Sequence, residues 1–374
     1  MPQTLAAQDG VAYGQSVRGA DVSTLQKVED HGGRFYGRGA QKTPQDPLVI
    51  LRSHGVNYVR LKLWKDPVGV DGYNDLEKTV AMAKRAKRTG LRLLLNFHYS
   101  DFWADPGRQD KPAAWRDLSF EALTRAVYDH TVETMTALKA ARALPDIVQI
   151  GNEIQSGILW PDGKTWGEGS GGFDNLAILL RAGIDGVRDV VGKDVKIMLH
   201  LADGADNGLY RWWFDEITRR GITDFDIIGL SFYPYWHGTL QGLSHNLADI
   251  SARYDKDVIV VETAYAFTLA DGDGHPNIFG AAQAQAGGYP ATVAGQAAFI
   301  EDIRRVVQAV PGGRGLGVFY WEPTWLPVPG AGWRSGEGNA WENQALFDFD
   351  GRALTPSLEA LGRPLPTLKR ARAR

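Results

Sequence analysis

The chain has 374 residues, 44% of them hydrophobic and 23% charged, with a net charge of -3. That balance gives no long-range pull toward nucleic acid or an anionic membrane, and no apolar run is long enough to span a bilayer. There is no cysteine, which excludes disulfides and thiolate metal sites without implying a reducing compartment, since a core of this size stands without staples.

The first ten residues, MPQTLAAQDG, lack the basic and apolar regions of a signal peptide. Either the protein stays inside the cell or a signal has been removed; the sequence leaves both open. No repeat, low-complexity tract or linker divides the chain. One domain over 1–374 is therefore expected, with an N-terminal extension at 1–15 and a C-terminal tail at 365–374. Eight short apolar runs follow in order. They are Val17–Val22, Tyr58–Leu63, Arg92–Phe97, Ile147–Gly151, Lys196–Leu201, Ile227–Phe232, Val258–Val261 and Gly317–Trp321. Each precedes a loop and then a helical pattern, which predicts a parallel sheet covered by helices. Eight units in one chain predict closure into an α/β (β/α)8 barrel. Between the runs, Asn74 or Asp75 is a cap for a helix through Leu76, Val80 and Ala83 that stops at Gly90. Ser119 is a cap for a helix burying Leu123, Val127 and Leu138. Asp174 is a cap for one carrying Leu180, Ile184, Val187 and Val191.

The stretches after the third, fourth, seventh and eighth strands are long, spanning roughly 98–118, 153–173, 262–290 and 322–350. They leave the C-terminal ends of strands, where barrel enzymes build their sites, and loops this long in a compact domain are usually functional. The fourth strand ends in Asn152-Glu153 and the seventh in Glu262. One strand-end glutamate is as readily a salt-bridged structural residue as a functional one. Two on different strands of one barrel would share a mouth, where half-burying charge without purpose is costly. Paired carboxylates suit glycoside hydrolysis: one protonates the leaving oxygen and the other attacks the anomeric carbon. Asn152 is placed to bond the sugar's 2-hydroxyl. Twelve tryptophans against 13 tyrosines and 14 phenylalanines is a high proportion of the ring that stacks best on sugars, although any single tryptophan is more readily core.

Several strings carry a resemblance. They are Arg18–Ser23, Val59–Trp64, Asn96–Asp101 with Trp103–Pro106, Gln149–Glu153, Asp226–Ser231 with Tyr233–Trp236, and Asn343–Asp348. In order along nearly the whole chain, they resemble clan A of the glycoside hydrolases and, more closely, family 53, the arabinogalactan endo-β-1,4-galactanases. The resemblance implies a retaining hydrolase of a plant polysaccharide, extracellular or periplasmic, with no organic cofactor and expected to be a monomer. It makes Glu153 the acid/base and Glu262 the nucleophile. Arg60 would bond Glu262 and lower its pKa, although a structural ion pair would look the same. Tyr233 or Tyr235 would hold the nucleophile, with Tyr233 preferred, and Trp321 would floor the reacting sugar's subsite. His98 and Asp101 stand at the mouth by position, as sugar ligands or, for a lone histidine, as an orienting residue. Trp103, Trp236, Trp325 and Trp333 are possible platforms, about half of them expected to be packing. Two rivals remain: a clan A hydrolase of mannan, xylan or glucan, and a non-catalytic polysaccharide-binding barrel. The latter typically lacks one of the two carboxylates.

A metal is the last expectation. In Asp271-Gly-Asp273-Gly-His275-Pro-Asn277, oxygen-bearing residues alternate with turn formers, like the start of a calcium loop without its closing glutamate. Taken alone, the string reads as a turn. The resemblance implies calcium held by Asp271, Asp273, His275 and Asn277, with His275 offering its backbone oxygen. The segment matching the family's further ligands is Asn339–Glu342. Glu342 is longer than the family's acidic residue there, and no role is assigned to it or to Asn339.

Overall fold

The computed structural model describes residues 17–38, 43–334 and 336–366. The expected extension at 1–15 and the tail from 367 onward lie outside the described residues. Eight parallel strands close into one barrel, β1 (Val17–Asp21), β2 (Tyr58–Leu63), β3 (Arg92–Phe97), β4 (Ile147–Ile150), β5 (Lys196–Leu201), β6 (Ile227–Ser231), β7 (Asp257–Glu262) and β8 (Gly315–Trp321). β8 returns to β1, with Val17 to Asp21 paired against Gly317 to Trp321. All eight predicted strands are present, and three have their predicted bounds.

Inside the barrel, Val17, Tyr58, Leu94, Ile147, Met198, Ile227, Ile259, Val261, Leu316 and Phe319 form a closed apolar plug. Two glycines make room for its bulk. A Cβ on Gly19 would stand 2.1 Å from the Phe319 ring, and one on Gly229 would stand 2.7 Å from the Met198 sulfur. The other strand face packs under the helices, so both faces are apolar, as parallel strands require.

The helix α1 (Leu76–Arg88) is capped by Asp75, which accepts the Lys78 N–H, and α2 (Phe120–Ala140) by Ser119, which accepts the Ala122 N–H. The third cap is corrected. The helix α3 (Gly172–Val191) begins after Gly171, so Asp174 lies inside its first turn. There it sits at the positive end of the helix dipole and pairs with Arg220. The long loops all rise from the C-terminal mouth. The fourth carries a small ladder of Gly157–Ile158 against Gly163–Lys164, and the seventh the short helix Ala281–Gly287.

Candidate active site

Strand pleating builds the floor of the mouth. Side chains two residues apart share a face, so the inward residue after each plug residue rises one layer. From β1 to β6 that layer is Asp21, Arg60, Asn96, Gln149, His200 and Ser231, all at most 1% exposed. An apolar plug thus ends in a polar ring at one height. Glu262 is out of step with this rule. Ile259 and Val261 face the plug, and plain alternation would turn Glu262 outward. Between β6 and β7 the pairing passes from Leu230 with Val260 to Ser231 with Glu262, skipping Val261. This bulge re-aims the carboxylate into the mouth, a common use of bulges beside active sites.

Glu153 arrives differently. It stands three residues past the end of β4 with φ 50° and ψ 56°, a left-handed conformation that costs roughly 1–3 kcal/mol in a non-glycine residue. Its N–H is held by His200 Nδ1 at 3.3 Å. The Gln109 amide bonds the carbonyls of Asn152 and Glu153. Both glutamates line one cleft of about 420 Å³.

Their electrostatics differ. Arg60 Nη1 lies 2.7 Å from Glu262 Oε1 and 2.7 Å from Asp21 Oδ2. The rest of the guanidinium donates to Gln149 Oε1 and Asn152 Oδ1. Burial raises the Glu262 pKa, and Arg60 pulls the other way. The expectation that Arg60 holds it low is therefore corrected, because desolvation outweighs the ion pair. Burial and then the like charge of Glu262 push Glu153 further up, well above the ordinary carboxyl value, while Ser231 offsets part of that rise. Among the described residues Glu153 touches no cation, so it is the member of the pair that keeps a proton.

The remaining candidates divide. Tyr233 Oη lies 3.4 Å from Glu262 Oε2, whereas Tyr235 donates to Gln344 Oε1, away from the pair. Asn152 and His98 are both buried cleft-lining residues. Asn152 Nδ2 donates to the Ala104 carbonyl, and the His98 ring, desolvated near Lys62 and Arg60, is kept neutral. Trp236, half exposed, lines the cleft with Trp321, Trp333, Trp103 and Trp341. Trp341 meets Trp321 edge-on at 4.7 Å. Trp325 is 1% exposed, bonds the Ala331 carbonyl and is packing. Trp103 rests on Trp333 and carries the Lys62 ammonium 3.5 Å from its ring centroid. Asp101 is not brought to the cleft. Its two oxygens accept the N–H groups of Asp66 and Ala113 and tie loops together. Sequence reasoning gave no role to Asp21, Lys62, Gln149, His200, Ser231, Asp105, Asp203 or His237, which lie in or directly beneath the cleft. For Gln149 and His200 a signal existed: each is a polar side chain two positions after an inward apolar one, Ile147 and Met198.

A second cluster joins the loops after β7 and β8. Carboxylate oxygens of Asp271, Asp273 and Glu342 lie within 4.8 Å of one another. The His275 ring is not among them; its backbone N–H donates to Asp273 Oδ1. Asn339 gives its N–H to Asp273 Oδ2 and spends its side chain on backbone groups. Glu342 Oε2 and Asn277 Oδ1 are buried without partners, and burial lifts the Glu342 pKa to about 7. Orphaned hard oxygens beside like charges fit a hard divalent cation such as calcium. Asp271, Asp273, Glu342 and Asn277 are the side chains positioned to hold it.

A parallel barrel with paired carboxylates and a tryptophan-lined cleft at its C-terminal mouth defines a barrel enzyme of the glycoside hydrolase kind. Comparison with known proteins agrees: the family model described as Glycosyl hydrolase family 53 matches residues 17–361. The chain belongs to that family. It is similar to a solved family 53 catalytic domain from Ignisphaera aggregans, at 43% identity and a TM-score of 0.88, covering 96% of this chain and 99% of that one. A Niallia circulans protein, described as uncharacterized in the bgaB 5' region, is 45% identical over 90% of this chain and 91% of its own. An endo-β-1,4-galactanase of Bacillus subtilis is 35% identical over 92% of this chain and 84% of its own.

Proposed function

We propose that the protein is an endo-β-1,4-galactanase that cleaves internal bonds of galactan with retention of configuration. The observation that carries the assignment of roles is the unequal surroundings of two buried carboxylates, Glu262 on Arg60 and Glu153 on none. In the first step Glu262 attacks the anomeric carbon, the bond to the leaving oxygen breaks, and the proton of Glu153 passes to that oxygen. In the second, Glu153 takes a proton from water as the water's oxygen displaces Glu262. Tyr233 and Arg60 hold the nucleophile, and Trp236, Trp321, Trp333 and Trp341 offer apolar surface to the sugar rings. The named activity of the Bacillus subtilis relative supports galactan over mannan, xylan or glucan. The presence of both carboxylates disfavours a non-catalytic sugar-binding barrel. The long-loop walls of an open cleft suit chain interiors. Galactan is too large to cross a membrane, which supports a location outside the cell or in the periplasm; we propose that the enzyme works there as a monomer with one catalytic domain. Among the described residues no helix is long and apolar enough to cross a membrane.

Calcium would sit on Asp271, Asp273, Glu342 and Asn277 and supply positive charge that pins the β7 and β8 loops. No chemical step needs it. The test of the substrate is incubation with linear β-1,4-galactan beside mannan, xylan and cellulose, with products separated by size. Short galacto-oligomers should appear first. Single galactose from chain ends as the dominant product would overturn endo action, and turnover of only another polymer would overturn the substrate.

A further inference from the structure

Three side chains lead from Arg60 to Glu153 as a hydrogen-bond chain whose polarity is set at one end. A guanidinium has only donors. Nε and Nη2 of Arg60 lie 3.2 and 3.1 Å from Gln149 Oε1, which decides which end of that amide is the oxygen. Gln149 Nε2 is then a donor, its two N–H groups facing the Gly151 carbonyl at 2.9 Å, His200 Nδ1 at 3.0 Å and Asn152 Oδ1 at 3.2 Å. The backbone N–H of Glu153 reaches the same nitrogen. With two donors on Nδ1, a neutral imidazole carries its proton on Nε2, 2.9 Å from Ser231 Oγ. Burial and the nearby Arg60 and His98 keep His200 neutral. Ser231 Oγ accepts from the ring, so its single proton goes to Glu153 Oε1 at 2.6 Å.

We propose that Gln149, His200 and Ser231 form a polarity relay that holds Glu153 Oε1 as a permanent acceptor and confines the acid proton to Oε2. The proposal rests on the acid/base reading of Glu153. No proton moves along the relay. In bond cleavage the Oε2 proton goes to the leaving oxygen, and in the second step Oε2 recovers one from water. Oε1 keeps the Ser231 hydrogen bond throughout. Gln149, His200 and Ser231 are positioning residues. Because Arg60 Nη1 also touches Glu262 Oε1, one guanidinium orients both carboxylates, directly at the nucleophile and through three side chains at the acid. The charged groups acting on Glu153 are Glu262 from β7, Asp105 from the loop after β3 and Arg60 from β2. The nearby Tyr233 and Tyr210 phenols have pKa values raised well above the ordinary range and stay neutral.

The test is Ser231→Ala. A hydrogen bond donated to a carboxylate stabilises its charged form, so its loss raises the Glu153 pKa. The basic limb of kcat/KM on galactan should move up by about one to two pH units. kcat at the optimum should fall by about tenfold or more while KM changes little. Glycosylation by a dinitrophenyl β-galactobioside, whose leaving group needs no proton, should stay near the wild-type rate, and Ser231→Thr should restore the profile. Equal losses on both substrates with an unmoved basic limb would overturn the relay. Nitrogen NMR of the unaltered, histidine-labelled protein decides independently of any variant. His200 should be neutral with its proton on Nε2 from roughly pH 5 to 8; a proton on Nδ1, or an imidazolium, overturns the proposal. Failure of the underlying reading looks different: Glu153→Gln would then keep full activity on galactan.

Discussion

Two clusters of polar and charged side chains sit at the same end of this barrel and are built on opposite terms. In the mouth the nucleophile meets its partner from the chain itself: Arg60 serves Asp21, Glu262, Gln149 and Asn152 at once. At the junction of the β7 and β8 loops, Asp271, Asp273 and Glu342 converge, with no ion pair to a cationic side chain among the described residues, and two buried oxygens there have no partner. Buried charge left unpaired is costly, and breaking a buried pair leaves such a charge behind. The mouth is therefore organised before any ligand arrives, while the loop clasp is organised to receive one. Catalytic groups belong in the first kind of setting, since they must be aimed in advance. A structural ion suits the second, since it supplies the missing charge by binding.

The largest effect should come from breaking the mouth at its nucleophile. Glu262→Ala should reduce kcat on galactan by about four orders of magnitude or more. Azide should restore turnover in that variant with inverted product, read by NMR of the released sugar. Rescue with retained product would place the nucleophile elsewhere.

Next in size is removal of the shared cation. Arg60→Met leaves Asp21 and Glu262 buried together without compensation, and stability near neutral pH should drop by roughly 3–5 kcal/mol. Glu262, its folded pKa already raised by burial and now without Arg60, takes up a proton more readily in the folded state than in the unfolded chain, so the deficit should shrink as pH falls. Urea unfolding at several pH values measures this. A deficit independent of pH would mean that lost packing, not unpaired charge, is the cause.

The smallest effect sharpens the other side of the comparison. In calcium-free protein the folded pKa of Glu342, about 7, lies above the ordinary 4.5. Between those values the folded state binds more protons than the unfolded one, so stability should fall as pH rises through that window, by on the order of 1–3 kcal/mol. Calcium at 100 times its Kd should add about 2.7 kcal/mol, most strongly above the window where Glu342 is ionised. Chelation should lower the melting temperature, and Glu342→Gln should remove both the calcium response and the pH slope. Unchanged melting after exhaustive chelation, with no calcium by elemental analysis, would show that the clasp holds no ion.

Much of this was legible without coordinates. Eight apolar runs with helical patterns between them are a local property of the chain, and burial on both faces of parallel strands makes such runs apolar throughout. The caps at Asp75 and Ser119 are local too, because a cap needs only its own helix. Asp174 was misplaced by that same reasoning, since Gly172 and Phe173 start the helix earlier and nothing in composition says so. The strand-end positions of Glu153 and Glu262 were plain, and the family resemblance implied the pairing of Arg60 with Glu262.

What the sequence by itself determined was the order of strands and helices, the end of the barrel that carries the chemistry, and which two carboxylates stand there. Those follow from periodicities of two and 3.6 residues and from strand ends, all set within a few residues of each position. The tertiary structure alone decided four things. The bulge at Val261 turned Glu262 inward, His200 and Ser231 came within reach of Glu153, Asp101 was drawn off into loop bonding, and Glu342 closed the carboxylate cluster of Asp271 and Asp273. Each depends on at least one contact between groups more than thirty residues apart, meeting at one height or one loop junction. That meeting is set by the register with which eight strands close, a property no single segment contains.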